Sequence, residues 1–263
     1  MKFALVSGSK TEPQPGLQGV CEHCQSDTFA KCGTVRIHHW AHKSKVSCDP
    51  WWENETEWHR TWKNRFPVEW QEKSHVDPAT GEKHIADIKT VGGLVIEFQH
   101  SPIQPDEIKS REAFYKNMVW VVDGTRLKRD YPRFCKGFND FRPIGIGGFF
   151  RLFFPHECLP ASWLTSSVPV YFDFQASDQQ DERRSPLWCL FPNRIEGHAL
   201  IAGVSREQFL QFSSTEPHLL FAREHLSYIS EYAEFQRKKA AADVERKYLH
   251  AFPRARMVRR RRL

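Results

Sequence analysis

The chain has 263 residues, enough for one large domain or two modest ones. Lys and Arg total 38 against 32 Asp and Glu; six of the arginines fall in residues 254–262 with no acid among them, which leaves 32 against 32 in residues 1–253 and makes the basic character a property of the tail. Hydrophobic residues make up 40% and aromatics 13%, too rich in core formers for a disordered chain. No apolar run approaches the roughly 18 residues of a membrane helix, and the apolar start at residues 3–6 is too short for a secretory signal, so a soluble cytoplasmic protein is expected.

Seven cysteines, an odd number, argue against a secreted disulfide framework. Four of them, Cys21, Cys24, Cys32 and Cys48, fall within 28 residues, a clustering that reads as metal ligation in a reducing compartment. Cys21-Glu-His-Cys24 has the gap that lets two thiolates bind one Zn²⁺ from a tight turn. Cys32, His38, His39, His42 and Cys48 are candidates for the second pair. The first choice is Cys21, Cys24, His42 and Cys48, with Cys32 or His39 as a replacement for one of them, in a zinc-ribbon-like module over residues 1–50. Such a site is structural, since about 50 residues cannot build an adequate core alone.

Further along, residues 34–40 alternate and predict a strand. Trp51, Trp52, Trp58 and Trp62 recur at helical spacing and predict a helix over 51–65, stopped by Pro67, with the tryptophans packed against a sheet. Three strand-like runs follow at 68–75, 84–89 and 94–99, with hairpin turns at 77–81 and Gly92-Gly93. Residues 105–116 predict a helix that opens with Pro105, Asp106 and Glu107, and residues 118–123 predict a buried strand. Helix, three strands, helix, strand is the order of a mixed α/β sheet. Beyond about residue 136 the signal weakens. Glycines at 145, 147 and 148 read as a turn before a buried aromatic strand, residues 175–186 as a solvated loop, and residues 205–251 as mostly helical.

Chemistry concentrates in the second and third strands. Asp87 sits in His84-Ile-Ala-Asp-Ile-Lys89 and Glu97 in Ile96-Glu-Phe-Gln99, where Glu97 interrupts an apolar run. The turn between them folds one strand beside the other, so the two carboxylates can converge, with Glu57 approaching from the preceding helix. A charge in a buried strand needs a partner or a metal. Converging carboxylates suit Mg²⁺ or Mn²⁺, and water activated by such an ion can attack a phosphodiester. The arginine tail could neutralise phosphates, which favours DNA as a partner.

In order along the chain, Cys21-x2-Cys24, His39-Trp-Ala-His42, Cys48, Glu57-x-His-Arg-x-Trp-Lys63, Ile85-Ala-Asp87 and Ile96-Glu-Phe-Gln-His-Ser101 resemble the CoiA-like competence proteins, nucleases of the PD-(D/E)XK superfamily. The resemblance covers roughly residues 1–125. It implies a restriction-endonuclease-like mixed sheet flanked by helices, Asp87 and Glu97 as the metal-binding acids and Glu57 as the helix carboxylate. Gln99 stands where the superfamily often carries lysine, so it would orient water or a ligand, while Lys63 or Lys89 could supply the missing charge. The resulting division is a zinc module at 1–50, a nuclease core at 51–135, a largely helical C-terminal region at 136–253, and a basic tail at 254–263. The expected activity is metal-dependent hydrolysis of DNA, in DNA uptake or processing or in anti-phage defence, with protein partners or self-association through the C-terminal region. The alternative is a catalytically inactive DNA-binding or scaffold protein that keeps the fold.

Overall fold

The computed structural model describes residues 1–44, 48–145, 147–175, 186–195 and 197–215, together with ten positions between 227 and 246. Residues Met1–Ala222 form one compact unit and Arg223–Leu263 a second. The arginine tail, and the loop expected at 175–186 apart from its first and last residues, lie outside the described residues. No described helix is long and apolar enough to cross a membrane.

Five short strands, β1 (Ala4–Val6), β2 (Ser9–Thr11), β3 (Gln18–Val20), β4 (Asp27–Lys31) and β5 (His39–His42), make an antiparallel sheet in the order β2-β1-β3-β4-β5. The strand expected at 34–40 begins only at His39. Val35 is 93% exposed, so alternation alone does not hold those residues extended. Trp40 is the anchor: it is buried with Met1, Ala4 and Cys21, and its Nε1 donates to the carbonyl of Thr11 at 2.9 Å.

The next elements follow the expected order: α1 (Glu57–Lys63), β6 (Gln71–Val76), β7 (Lys83–Lys89), β8 (Val95–Gln99), α2 (Pro105–Tyr115) and β9 (Met118–Asp123). Strands β6, β7 and β8 are antiparallel neighbours, and β9 lies parallel to β8 across the helical crossover. Helix α1 is much shorter than the tryptophan spacing suggests. Thr56 ends it with a capping box, its hydroxyl accepting from His59 N while the His59 ring accepts from Thr56 N. Trp51 and Trp52 therefore precede the helix. Trp51 stacks on His84 with centroids 3.3 Å apart, Trp52 is exposed, and Trp62 is buried against Phe98.

The part expected to be largely helical instead enlarges the same sheet, up to residue 204, because its apolar strands find partners beside β9. After α3 (Asp130–Phe138) come β10 (Arg142–Pro143), β11 (Phe149–Leu152), α4 (Pro155–Cys158), β12 (Val170–Asp173), β13 (Leu187–Ile195), β14 (His198–Val204) and α5 (Arg206–Ser214). The nine strands run β10-β11-β14-β13-β12-β9-β8-β7-β6, with β12 parallel to β9. The turn and aromatic strand expected at 145–154 are Gly148, at φ +80°, and β11. The core of the enlarged sheet joins Trp120, Phe134, Phe172, Trp188 and Ile201, so β12, β13 and β14 share their packing with the first-half strands. All six residues of β9 are buried, as expected of a parallel strand covered on both faces.

Candidate active site and metal centre

The β7–β8 ladder pairs Lys89 with Val95 and Ile88 with Ile96, then opens. In the opening, carboxylates take the place of backbone partners. Asp87 N donates to Glu97 Oε1 at 3.2 Å, and Phe98 N donates to Asp87 Oδ2 at 3.0 Å. On the other side, β6 pairs Gln71 with Ile88 and Lys73 with Ala86, which sets Glu72 opposite Asp87. Three neighbouring strands thus each bring one acid to the same level.

Lys63, in the last turn of α1, sits among them. Its Nζ lies 2.9 Å from Asp87 Oδ1, 3.3 Å from Glu72 Oε1 and 3.5 Å from Glu55 Oε1. Burial alone would lower its pKa, but Asp87, Glu55 and Glu72 hold it well above the ordinary lysine range. Lys63 is a fixed positive charge and not a proton acceptor. Glu97 is 4% exposed, and its Oε2 lies 3.1 Å from Arg111 Nη1 on α2. Burial, and then Asp87, push its carboxyl up to about 8 in spite of Arg111. The cavity here, about 70 Å³, is lined by Asp49, Glu53, Glu55, Glu72, Asp87 and Glu97 against the cationic side chains Lys63 and Arg111. Six carboxyl groups thus converge on one small cavity, Glu55 being held also by Arg60 at 2.7 Å, and clustered carboxylate oxygens are the donors that hard divalent cations take. The volume has room for an ion with a few waters.

Glu72 has a structural role as well. It adopts φ +47°, a left-handed conformation unusual for a glutamate. Its carboxylate accepts from Lys2 N at 2.8 Å and from Phe3 N at 3.2 Å. Burial would raise its pKa; Lys63, the chain's amino terminus and these two amides overcome that and lower it to about 2. A carboxyl depressed in the folded state stabilises the protein above its ordinary value near 4.5 and ceases to do so as pH falls toward 2. Thermal melts are therefore expected to show wild type well above Glu72→Gln at pH 6, by on the order of 3 kcal/mol, with the gap closing between pH 4.5 and 2. A gap independent of pH would contradict this.

The structure does not bring Glu57 to the cavity. It is exposed at the start of α1 and lines a separate groove with Trp58, Arg65, Asp173 and Arg206. Helix geometry is the reason: at about 100° per residue, Glu57 lies about 120° around the helix from Lys63 and about 160° from His59, the two residues that face the acids. Glu53 and Glu55, in the extended segment before the cap, reach the cavity instead. Gln99 does not line it either. Its Nε2 donates to Glu53 Oε2 and to the Ser101 carbonyl, both at 3.0 Å, so it positions Glu53. His59 braces the same carboxylate, with Nε2 2.6 Å from Glu53 Oε1. Lys63, and not Lys89, stands beside the acids where the expected lysine is missing. Glu53, Glu55, Glu72 and Arg111 went unforeseen; Thr56, a capping residue ahead of α1, is the signal that could have freed the first two from the helix.

The second cluster matches the first-choice ligand set. One donor atom from each of Cys21, Cys24, His42 and Cys48 lies within 4.8 Å of the others, a group that could hold a metal ion. Cys21 Sγ and Cys48 Sγ are 4.0 Å apart, and Cys24 Sγ and His42 Nε2 are 3.3 Å apart. Tetrahedral Zn–S bonds of about 2.3 Å place neighbouring sulfurs about 3.7 Å apart, so these donors fit one zinc ion. His39 turns away, its Nδ1 2.9 Å from the Ile37 carbonyl, and Cys32 is not in the group.

Residues 55–141 match the family described as competence protein CoiA, nuclease-like domain. This segment is similar to that nuclease-like domain. It contains Lys63, Glu72, Asp87, Glu97, Gln99 and Arg111, whereas Glu53 and the cysteine–histidine cluster lie before it. No curated protein and no solved structure matches the chain.

Proposed function

We propose that the protein is a metal-dependent deoxyribonuclease in which Asp87 and Glu97 hold a Mg²⁺ or Mn²⁺ ion. The observation that carries this reading is the convergence of six carboxyl groups on a small cavity within a nuclease-like segment. The ion would polarise a phosphate oxygen and make a bound water nucleophilic. Asp87 and Glu97, whose oxygens also order the opened strands, present the donors from a rigid sheet. Lys63 places a permanent charge against the charge that grows on the phosphate. Gln99 and His59 keep Glu53 turned toward the cavity. Cys21, Cys24, His42 and Cys48 hold a structural Zn²⁺.

The test is incubation of the full chain with plasmid, single-stranded DNA and RNA in Mg²⁺, Mn²⁺ or EDTA. DNA cleavage that needs the metal supports the proposal. DNA binding without cleavage under every metal supports a noncatalytic scaffold. Asp87→Asn and Glu97→Gln are each expected to lose more than the roughly hundredfold that changes outside the direct ligands cost, and Glu57→Gln to stay near the wild-type rate. A dead Glu57→Gln enzyme would contradict the placement of that side chain.

A further inference from the structure

A second cavity, of about 370 Å³, opens at the carboxyl ends of β8, β9 and β12. These strands are mutually parallel and end at Gln99, Asp123 and Asp173. Crevices outside the carboxyl ends of parallel strands are where open α/β sheets take their ligands. The volume lies in the lower range of small-molecule sites, about 300–1,000 Å³.

Its charge is opposite to that of the acidic cavity. Arg126, Arg129 and Arg133 line it, and its two acids are already engaged. Asp130 pairs with Arg133 at 3.0 Å, while Asp123 pairs with His100 Nδ1 at 2.8 Å and accepts from Thr125 and Gln175. Arg126 and Arg129 have no carboxylate partner among the described residues. A buried donor in the lining, Arg133 Nε, is also unsatisfied. An orphaned atom of this kind is uncommon in a finished interior and marks a place completed by a polar ligand. Gln99 divides the two cavities: it lines this one and donates to Glu53 of the other. It lies two residues beyond Glu97, about 7 Å along β8, a step similar to that between successive phosphates of an extended strand.

Building on the nuclease reading, we propose that this cavity seats the terminal phosphomonoester of a DNA strand, so that cleavage at Asp87 and Glu97 is directed to strand ends. A terminal monoester carries close to two negative charges where an internal diester carries one, and planar guanidinium forks match its oxygens. Arg126 and Arg129 supply the uncommitted charge, and Arg133 Nε a further donor.

The test measures binding to the full chain in EDTA, so that it does not depend on cleavage. Short single strands bearing a 5′-phosphate, a 3′-phosphate or hydroxyls at both ends are compared by fluorescence anisotropy, with a nucleoside monophosphate and inorganic phosphate as competitors. One phosphorylated strand is expected to bind about tenfold or more tighter than the hydroxyl-ended strand, the effect of one or two charge-assisted hydrogen bonds. Arg126→Ala/Arg129→Ala should erase the difference, Arg126→Lys/Arg129→Lys should keep part of it, and Asp87→Asn should leave it whole. Equal binding of all three strands overturns the proposal, as does an end preference that survives the double alanine substitution. Tighter binding of the free nucleotide than of either phosphorylated strand also overturns it, in favour of a small-molecule site. The nuclease reading fails separately: an end preference without cleavage under any metal sinks that reading alone, and cleavage without an end preference sinks the pocket alone.

Discussion

Lys63→Met is expected to slow metal-dependent cleavage by about a hundredfold to a thousandfold, the cost of removing one preorganised donor from a charge-stabilising site. The side chain is buried and touches Asp87, Glu72 and Glu55 at once. Methionine fills similar volume, so the loss is one of charge more than of packing. Three carboxylates would then face one another without a cation, and breaking such a buried pair costs up to about 3–5 kcal/mol. Lower stability could by itself mimic lower activity. The two are separated by melting each protein with and without Mg²⁺: the ion should raise the melting temperature of the variant more than that of wild type. At saturating metal and a temperature where both are folded, the rate deficit should remain. Lys63→Arg keeps the charge but brings a larger fork into a cavity of about 70 Å³, so an intermediate rate is expected. A Lys63→Met enzyme as fast as wild type would leave Lys63 as a structural counter-ion only.

The strands and crossover helix of the nuclease-like segment were legible because each carries a local signal. Pro105 starts a helix, Asp77 and Gly81 close a hairpin, and the Met118–Asp123 run can only be a buried strand. Asp87 and Glu97 were legible for the same reason, since a hairpin fixes which residues stand side by side. Glu72 was not. Its place depends on the β6–β7 register and on a left-handed backbone, neither of which residue spacing reveals. Glu57 was misplaced because tryptophan periodicity lengthened α1 and so blurred which of its faces meets the sheet. Of the five strands after residue 140 only β11 was expected; β12 escaped notice because its parallel partner is distant in sequence, β9 lying about fifty residues back. Such non-local pairing is decided by tertiary packing, which overrides weak local preference.

Stripping the metal from Cys21, Cys24, His42 and Cys48 is expected to cost both stability and activity, although none of the four touches the acids. The module that holds them has a small interior, centred on Met1, Ala4, Cys21 and Trp40, and a core of that size needs a metal to persist. Its attachments land beside the acid row. Asp49, next to Cys48, accepts from Ile85 N at 2.6 Å and pairs with His84 at 2.9 Å, both on β7 just ahead of Asp87. His23, within the Cys21–Cys24 turn, has Nδ1 2.7 Å from Ser74 Oγ on β6, and its carbonyl accepts from Lys83 Nζ. The amides of Lys2 and Phe3 close on Glu72. Unfolding the module therefore releases Glu72 and loosens β7, two of the walls that position Lys63 and Asp87. The purified protein is expected to carry about one zinc ion, the load of one tetrahedral site. Cys24→Ser, or treatment with a chelator, is expected to lower the melting temperature by about 10 °C or more, since each lost kcal/mol shifts a chain of this size by about 2–4 °C. Cleavage should fall with it. Activity lost to the chelator should return when both Zn²⁺ and Mg²⁺ are restored and not with Mg²⁺ alone, which distinguishes the structural ion from the catalytic one. Three free thiols at Cys21, Cys24 and Cys48, with no bound zinc and an unchanged melt in Cys24→Ser, would show that the cluster packs the module without a metal.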